Sequence, residues 1–328
     1  MKYNCAVIGL GNIGFRFILD SKRKGTWTHV DAYKKHACTE LVGAVENDPK
    51  NAEVFKNYNP DIPVYSTIQD LFNDQKVDMV SICVPTKYHF SVFSEIIKYN
   101  VKAVFCEKPL SYNVKESEKM VNLAEEKGIV LAVNYTRRWQ NSYNLVKEMI
   151  KKGDVGSLKT VNCFYSAQIY NIGSHLFDTL MFLTGIRPVM VSALKIKDDG
   201  DPSLSGWMKS KDNVMITFSS TGRREDLIFE IDIVGDRGRL RITDNGSKVE
   251  WFVFEESSRH SGYRDLIPQM VRPPVENDRF VDSVSDITQA LENKGRKLRC
   301  SGEDALVVDK IIEKAFISAS KKGSCELI

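Results

Sequence analysis

A chain of 328 residues is too long for one ordinary hydrophobic core, so two domains are the expectation. Apolar residues make up 42% and charged residues 27%, the balance of a folded globular protein and not of a disordered one. With 46 Lys+Arg against 43 Asp+Glu, the formal charge of +3 gives no reason to expect nucleic acid or an anionic membrane as partner.

The first apolar run, Tyr3–Ile8, reads as a strand with no signal peptide ahead of it. No apolar stretch reaches membrane-spanning length, and a cytoplasmic protein is the expectation. Further strands are expected at Leu41–Val45, Met79–Val84, Ala103–Cys106 and Val130–Val133, separated by amphipathic segments such as Val92–Lys98 and Val114–Lys127. Strand alternating with helix marks a parallel sheet covered on both faces. Cys5, Cys83 and Cys106 fall within or at the end of these strands. The seven cysteines have no CxxC spacing, so they read as small buried hydrophobes, and no metal site is expected.

The pattern then changes. A helix at about 141–152 leads to a strand at Thr160–Ser166 and a helix at about 172–184. Beyond these, Val214–Phe218, Leu227–Val234 and Arg239–Ile242 alternate with period two, as an antiparallel sheet with one packed face does. The stretch 198–212 reads as a surface loop. Ser301-Gly-Glu-Asp304 announces a closing helix by a serine cap with a carboxylate three residues on. The expected architecture is α/β: a Rossmann domain over 1–125, and over 126–328 an α+β domain with an open, largely antiparallel sheet for substrate and oligomerisation.

Gly9-Leu-Gly11-Asn12-Ile13-Gly14 directly follows the first strand and is expected to open a helix over Ile13–Leu19. The first glycine permits the tight turn, the second lets backbone approach a pyrophosphate, and the third lets helix pack on strand. The acidic residue expected to bind the adenine ribose is Glu46, at the end of the second strand. It lies beyond the usual ~20 residues, an excess assigned to an inserted stretch around Lys22–His36. No arginine stands next to Glu46 in sequence to receive a 2′-phosphate, so NAD is favoured over NADP.

After the fourth strand comes Cys83-Val-Pro85-Thr86-Lys-Tyr-His89, and after the fifth Glu107-Lys108-Pro109-Leu110. Together with the glycine loop, Asn134-Tyr-Thr-Arg-Arg138-Trp139, Gly173-Ser-His175-Leu-Phe-Asp178 and Gly235-Asp-Arg-Gly-Arg-Leu240, the chain resembles the Gfo/Idh/MocA oxidoreductases over nearly its whole length. The resemblance implies a Rossmann domain, a second domain with an open sheet, and a homodimer or homotetramer. It gives Lys108 the place beside the nicotinamide and the reacting hydroxyl, as proton acceptor or as charged hydrogen-bond donor to an alkoxide. It gives His175 the handling of the hydroxyl proton. Pro85, Thr86, His89 and Glu107 are implied at the cofactor, and Arg138 and Trp139 on the substrate side.

Asn171, His175 and Asp178 share one face of the 172–184 helix, a polar face expected to look into a cleft. Many relatives carry Asp where this chain has Asn171. In that respect the segment looks most like the sugar-nucleotide 3-dehydrogenases of surface-polysaccharide pathways. The expected activity is NAD-dependent hydride transfer at a secondary hydroxyl of a sugar, in particular a nucleotide sugar. A dehydrogenase of free sugars or cyclic polyols, and a non-catalytic dinucleotide sensor, are the alternatives.

Overall fold

The computed structural model describes residues 2–197, 202–223, 225–272, 274–293 and 295–328. Two compact units emerge: Met1–Trp139 with Asn277–Asp309, and Gln140–Glu276 with Lys310–Ile328. The expected boundary at 125 therefore moves. Val130–Val133 is the sixth strand of the first sheet, and the segment 277–309 returns to the first unit, which the sequence pattern did not reveal.

In the first unit, β1 (Tyr3–Ile8), α1 (His29–Lys35), β2 (Thr39–Val45), α2 (Pro49–Tyr58), β3 (Val64–Tyr65), α3 (Ile68–Asp74), β4 (Met79–Ile82), α4 (His89–Ile96), β5 (Ala103–Cys106), α5 (Val114–Glu126) and β6 (Val130–Val133) follow in order. The strands form one parallel sheet in the order β3-β2-β1-β4-β5-β6. Short β-branched and apolar runs, all of β4 and β5 buried, are what a sheet covered on both faces requires. Cys5, Cys83 and Cys106 are buried free thiols, as expected.

Contrary to expectation, no regular helix follows the glycine loop directly. Residues 11–15 turn and Arg16–Leu19 form one 3₁₀ turn. The helical ladder nonetheless resumes later. The carbonyls of Ile13 and Gly14, which in an unbroken α-helix would accept from residues 17 and 18, accept instead from the N–H groups of His29 and Val30, each at 3.2 Å. Residues 17–28 are thus a twelve-residue excursion, and α1 is the helix of the crossover, not part of the insertion. Without the excursion, Glu46 stands about 20 residues beyond Gly14, the usual spacing.

In the second unit lie α6 (Asn141–Lys152), β7 (Leu158–Tyr165), a π-helical turn (Ile169–Gly173), α7 (Ser174–Thr184), β8 (Pro188–Lys197), β9 (Ser203–Ser210), β10 (Met215–Ser220), β11 (Phe229–Gly235), β12 (Gly238–Thr243), β13 (Lys248–Glu256) and β14 (Arg264–Gln269). The chain then returns to the first unit with α8 (Arg279–Glu292). The residues of α9 (Gly302–Ser320) divide between the units, and β15 (Glu326–Leu327) closes the second. The nine strands run β14-β13-β12-β11-β7-β10-β9-β8-β15, antiparallel except for the β7–β10 pair.

The loop expected over 198–212 is mostly strand β9. Residues 198–201 lie outside the described residues. β9 escaped notice because its buried positions include Ser203 and Ser210, whose hydroxyls bond Ala167 O (3.0 Å) and Val214 N (3.0 Å).

One sheet face carries the core, where Phe177 packs edge-on against Phe218 and Tyr143 against Phe229. The other is open and mixed. Arg239 pairs with Asp232, Arg241 with Glu250 at 3.1 Å, and Phe164, Leu194 and Met215 remain exposed. The expected capping box is present, with Ser301 Oγ accepting from Asp304 N and Asp304 Oδ2 accepting from Ser301 N.

Candidate active site

A parallel sheet in the order 3-2-1-4-5-6 reverses direction between β1 and β4, and a dinucleotide binds outside the strand ends there. The glycine loop leaves β1 at this point, beside the Cys83–Thr86 segment that leaves β4. Gly9 has φ +93°, and a Cβ on it would stand 2.9 Å from the backbone of Cys83 and Val84. At Gly14 a Cβ would be 2.1 Å from the Gly9 carbonyl. Gly11 differs: a Cβ there would meet nothing within 4 Å. The protein's own packing does not demand glycine at 11, whereas a pyrophosphate lying on the backbone would. Exposed Asn12 and half-buried Ile13 complete this loop.

Glu46 is aimed at the same loop. Its Oε2 accepts from Leu10 N at 2.8 Å and its Oε1 from Asp48 N at 2.9 Å, which leaves lone pairs for two ribose hydroxyls. Arg16 adds a group that sequence adjacency did not reveal, since its Nη1 donates to Asn51 Oδ1 at 2.9 Å on the first turn of α2. The residues present fit a dinucleotide.

Lys108 follows β5 directly and is half-buried, and its peptide bond to Pro109 is cis. Its position is set by neighbours. Glu107 is buried, and its Oε1 lies 2.9 Å from His29 Nε2 and 2.6 Å from Asn134 Nδ2, while Oε2 accepts from Lys108 N at 3.3 Å. Burial alone would raise the Glu107 pKa. The bond and charge of His29, the Asn134 amide and the Lys108 charge together hold it below the usual glutamate value. The network continues from His29 Nδ1 to Ser81 Oγ (2.8 Å) and from there to Tyr33 OH (2.7 Å).

His29, Ser81 and Tyr33 were not picked out by the sequence reading, and Asn134 entered it only as the first residue of the Asn134–Trp139 motif, with no role of its own. The one local signal for His29 is its place after Thr28, whose Oγ1 caps α1 by accepting from Asp31 N.

Other expected residues find different places. His89 is 1% exposed, with Nε2 3.0 Å from Val84 O and Nδ1 3.0 and 3.2 Å from Pro109 O and Leu110 O. Burial lowers its pKa against these carbonyl contacts. It braces the lysine segment and has no surface to offer a cofactor, whereas Pro85 is exposed and Thr86 half-buried. Arg138 is buried and held by Asp304 at 3.1 Å and by the carbonyl of Arg299. Trp139 is buried edge-on to Phe105, with its Nε1 3.4 Å from Asp286 Oδ2. Neither presents a free face to a substrate.

In the second unit, α7 is buried on nearly every side, so the polar face expected to look into a cleft is closed at Asp178, which is 0% exposed. His175 retains 9%, and Asn171 is half-buried on the π-helical turn. Such a turn, which widens a helix by one residue, is frequent at functional sites.

The switch-point glycine loop, the acidic end of β2 and the second, open-sheet unit define an oxidoreductase that binds a nicotinamide dinucleotide. Residues 3–135 match the model described as "Oxidoreductase family, NAD-binding Rossmann fold", and residues 147–327 match "Oxidoreductase family, C-terminal alpha/beta domain". The chain belongs to the Gfo/Idh/MocA family of oxidoreductases, and its cofactor is NAD.

It is similar to the inositol 2-dehydrogenase of Rhizobium meliloti, 23% identical over 326 residues that cover 90% of this chain and 93% of that one. A shorter match, 26% over 162 residues and 44% of either chain, is to the NADP(+)-dependent scyllo-inositol 2-dehydrogenase IolW of Bacillus subtilis. Among solved structures, the WlbA dehydrogenase of Bordetella pertussis, in complex with NADH and UDP-GlcNAcA, has the same fold. Its TM-score is 0.79 at 16% identity, over 100% of this chain and 99% of that one. Among the described residues no helix is long and apolar enough to cross a membrane, and no cluster of His, Cys, Asp and Glu could hold a metal ion.

Proposed function

We propose that the protein oxidises, or in reverse forms, a secondary hydroxyl of a nucleotide sugar. The observation that carries this reading is the Lys108 segment. It is a half-buried lysine at the carboxyl end of a core strand, fixed through Glu107 by two buried partners, on the sheet edge that bears the glycine loop. Bound NAD⁺ supplies an acceptor for a hydride at its nicotinamide C4. The substrate C–H bond breaks with its electron pair, the O–H bond breaks as a proton leaves, and the carbonyl forms. Lys108 and His175 receive that proton or stabilise the oxygen as it gains charge. Glu46 and the backbone at Gly11 hold the dinucleotide, and Asn171 orients the sugar by hydrogen bonds from its amide. The nucleotide-sugar assignment draws on Asn171 and on the WlbA dehydrogenase, whose structure holds UDP-GlcNAcA.

The open face of the nine-stranded sheet, with its alternating charges and exposed Phe164, Leu194 and Met215, suits a second copy of the chain. The test is the absorbance of the NADH band when near-stoichiometric enzyme and NAD⁺ are mixed with UDP-sugars, free sugars and inositols in turn. A rise with a UDP-sugar supports the reading. A rise with an inositol alone replaces it by the polyol reading, for which the inositol dehydrogenase relative speaks. Silence across the panel, with NAD binding confirmed, removes both.

A further inference from the structure

The buried stripe of α9 in the first unit holds one residue that does not belong to an apolar stripe. Ala305 and Val308 are fully buried, and beside them Asp309 is 3% exposed. Its Oδ2 accepts from Ser117 Oγ of α5 at 2.7 Å and from the backbone N–H of Ser111 at 3.3 Å. Its Oδ1 is buried and finds no hydrogen-bond partner among the described residues. An ionised carboxylate with one oxygen bare in the interior is costly, and an apolar side chain would serve the packing better.

What the carboxyl group does hold is the end of one particular segment. Ser111 lies three residues past Lys108, and the stretch between is braced by His89 through the carbonyls of Pro109 and Leu110. Glu107 anchors its head. Asp309 anchors its tail.

We infer that Asp309 is a positioning residue for Lys108, its carboxyl group fastening Ser111 and Ser117 so that the 107–111 segment keeps one geometry. The inference rests on the reading of Lys108 as the residue at the reacting hydroxyl. The charged and titratable groups around the carboxyl are few. Glu116 on α5 accepts from Ser111 Oγ at 2.6 Å, and Glu107 and Lys108 stand at the head of the segment. The Cys106 thiol at the end of β5 is pushed well up, first by burial and then by the charge of Glu107, and Lys310 is the next residue on α9.

Burial pushes its pKa up from 3.8 to about 7, against the two hydrogen bonds it accepts. Opening of the segment to water would return the carboxyl to its ordinary value. Between those two values opening therefore releases a proton, and its equilibrium rises about tenfold per pH unit. Above about pH 7 the closed form is itself ionised and the dependence levels off.

Amide hydrogen exchange of the whole protein reads this directly, with each rate divided by its intrinsic rate at that pH. Protection of the Ser111 amide should fall between pH 5.5 and 7 in the wild type and stay constant in D309N, which keeps the accepting oxygen and cannot ionise. In parallel, D309A should lose about tenfold or more in kcat with the dissociation constant for NADH unchanged, and D309N should stay within about threefold of wild type. Protection that is independent of pH in the wild type, or equally dependent in D309N, overturns the inference whether or not D309A folds. If protection behaves as expected but kcat is the same in every variant, the fastening stands and the positioning of Lys108 by Asp309 falls, while the role of Lys108 itself is decided by Lys108→Ala.

Discussion

Replacing Gly11 by alanine should separate the stability of the first unit from its ability to bind NAD. The structure gives the magnitudes. At Gly11 an added Cβ meets nothing within 4 Å and the backbone is not left-handed, so G11A should leave the apoprotein intact. It should even stabilise it by about 0.4–1 kcal/mol, because the unfolded chain loses freedom. The control is Gly14, where the same methyl would sit 2.1 Å from the Gly9 carbonyl, a backbone atom that cannot move aside cheaply. G14A should cost at least the ~1–3 kcal/mol of an overpacked core. Thermal and urea melts of the apoproteins give the first half of the comparison.

The second half is titration with NADH, followed by energy transfer from tryptophan. If the pyrophosphate lies on the backbone at 11, a methyl there obstructs it, and G11A should weaken binding by about a hundredfold, or ~2.7 kcal/mol. Binding of NADH by G11A with wild-type affinity would refute the placement of the pyrophosphate. A marked loss of apoprotein stability would refute the claim that only a ligand needs this glycine.

Lys108→Ala should retain NADH affinity and lose turnover by about two orders of magnitude or more, read by single-turnover absorbance on the substrate found in the panel. Glu46→Ala should weaken NAD more than NADP, since the carboxylate favours ribose hydroxyls and repels a 2′-phosphate. Equal losses would sink the ribose assignment. The Glu107 pKa is held below its usual value in the folded protein, so its contribution is present above pH 4.5 and is lost as pH falls through the lower folded value. Urea unfolding should therefore show Glu107→Gln less stable than wild type by about 1–3 kcal/mol near pH 7, the two curves converging in acid.

Much of the first sheet could be read from sequence because a parallel strand buried on both faces has little freedom in composition. Ala103–Cys106 and Val130–Val133 fall where the apolar runs end. The strand β9 could not be read this way, because hydroxyls satisfied by backbone partners let serine stand at buried positions. The candidate site was legible where chemistry forces a residue type, as in the glycine loop that follows β1 and the carboxylate that ends β2. It was not legible where partners meet only in space. His29 and Asn134 are separated from Glu107 by 78 and 27 positions, and Asp309 from Ser111 by 198. Arg138 and Trp139 show the opposite failure, since a motif position alone does not tell a residue that faces a ligand from one that packs behind it.

The excursion at 17–28 bears on how this chain can change. Because the N–H groups of His29 and Val30 donate to the carbonyls of Ile13 and Gly14, the two ends of the excursion are neighbours, and the chain between them is attached to the unit chiefly by Ile18, which packs on its core, and by Thr26 and Thr28. Closing such a loop costs free energy that grows only with the logarithm of its length. The segment from Phe17 to Trp27, with Arg23 stacked on Phe17 and Trp27, is in effect a replaceable cassette beside the glycine loop, provided that its successor supplies the packing of Ile18. A different cassette could be exchanged there while the strand order, the glycine turn and the Glu107–His29 pair stay as they are.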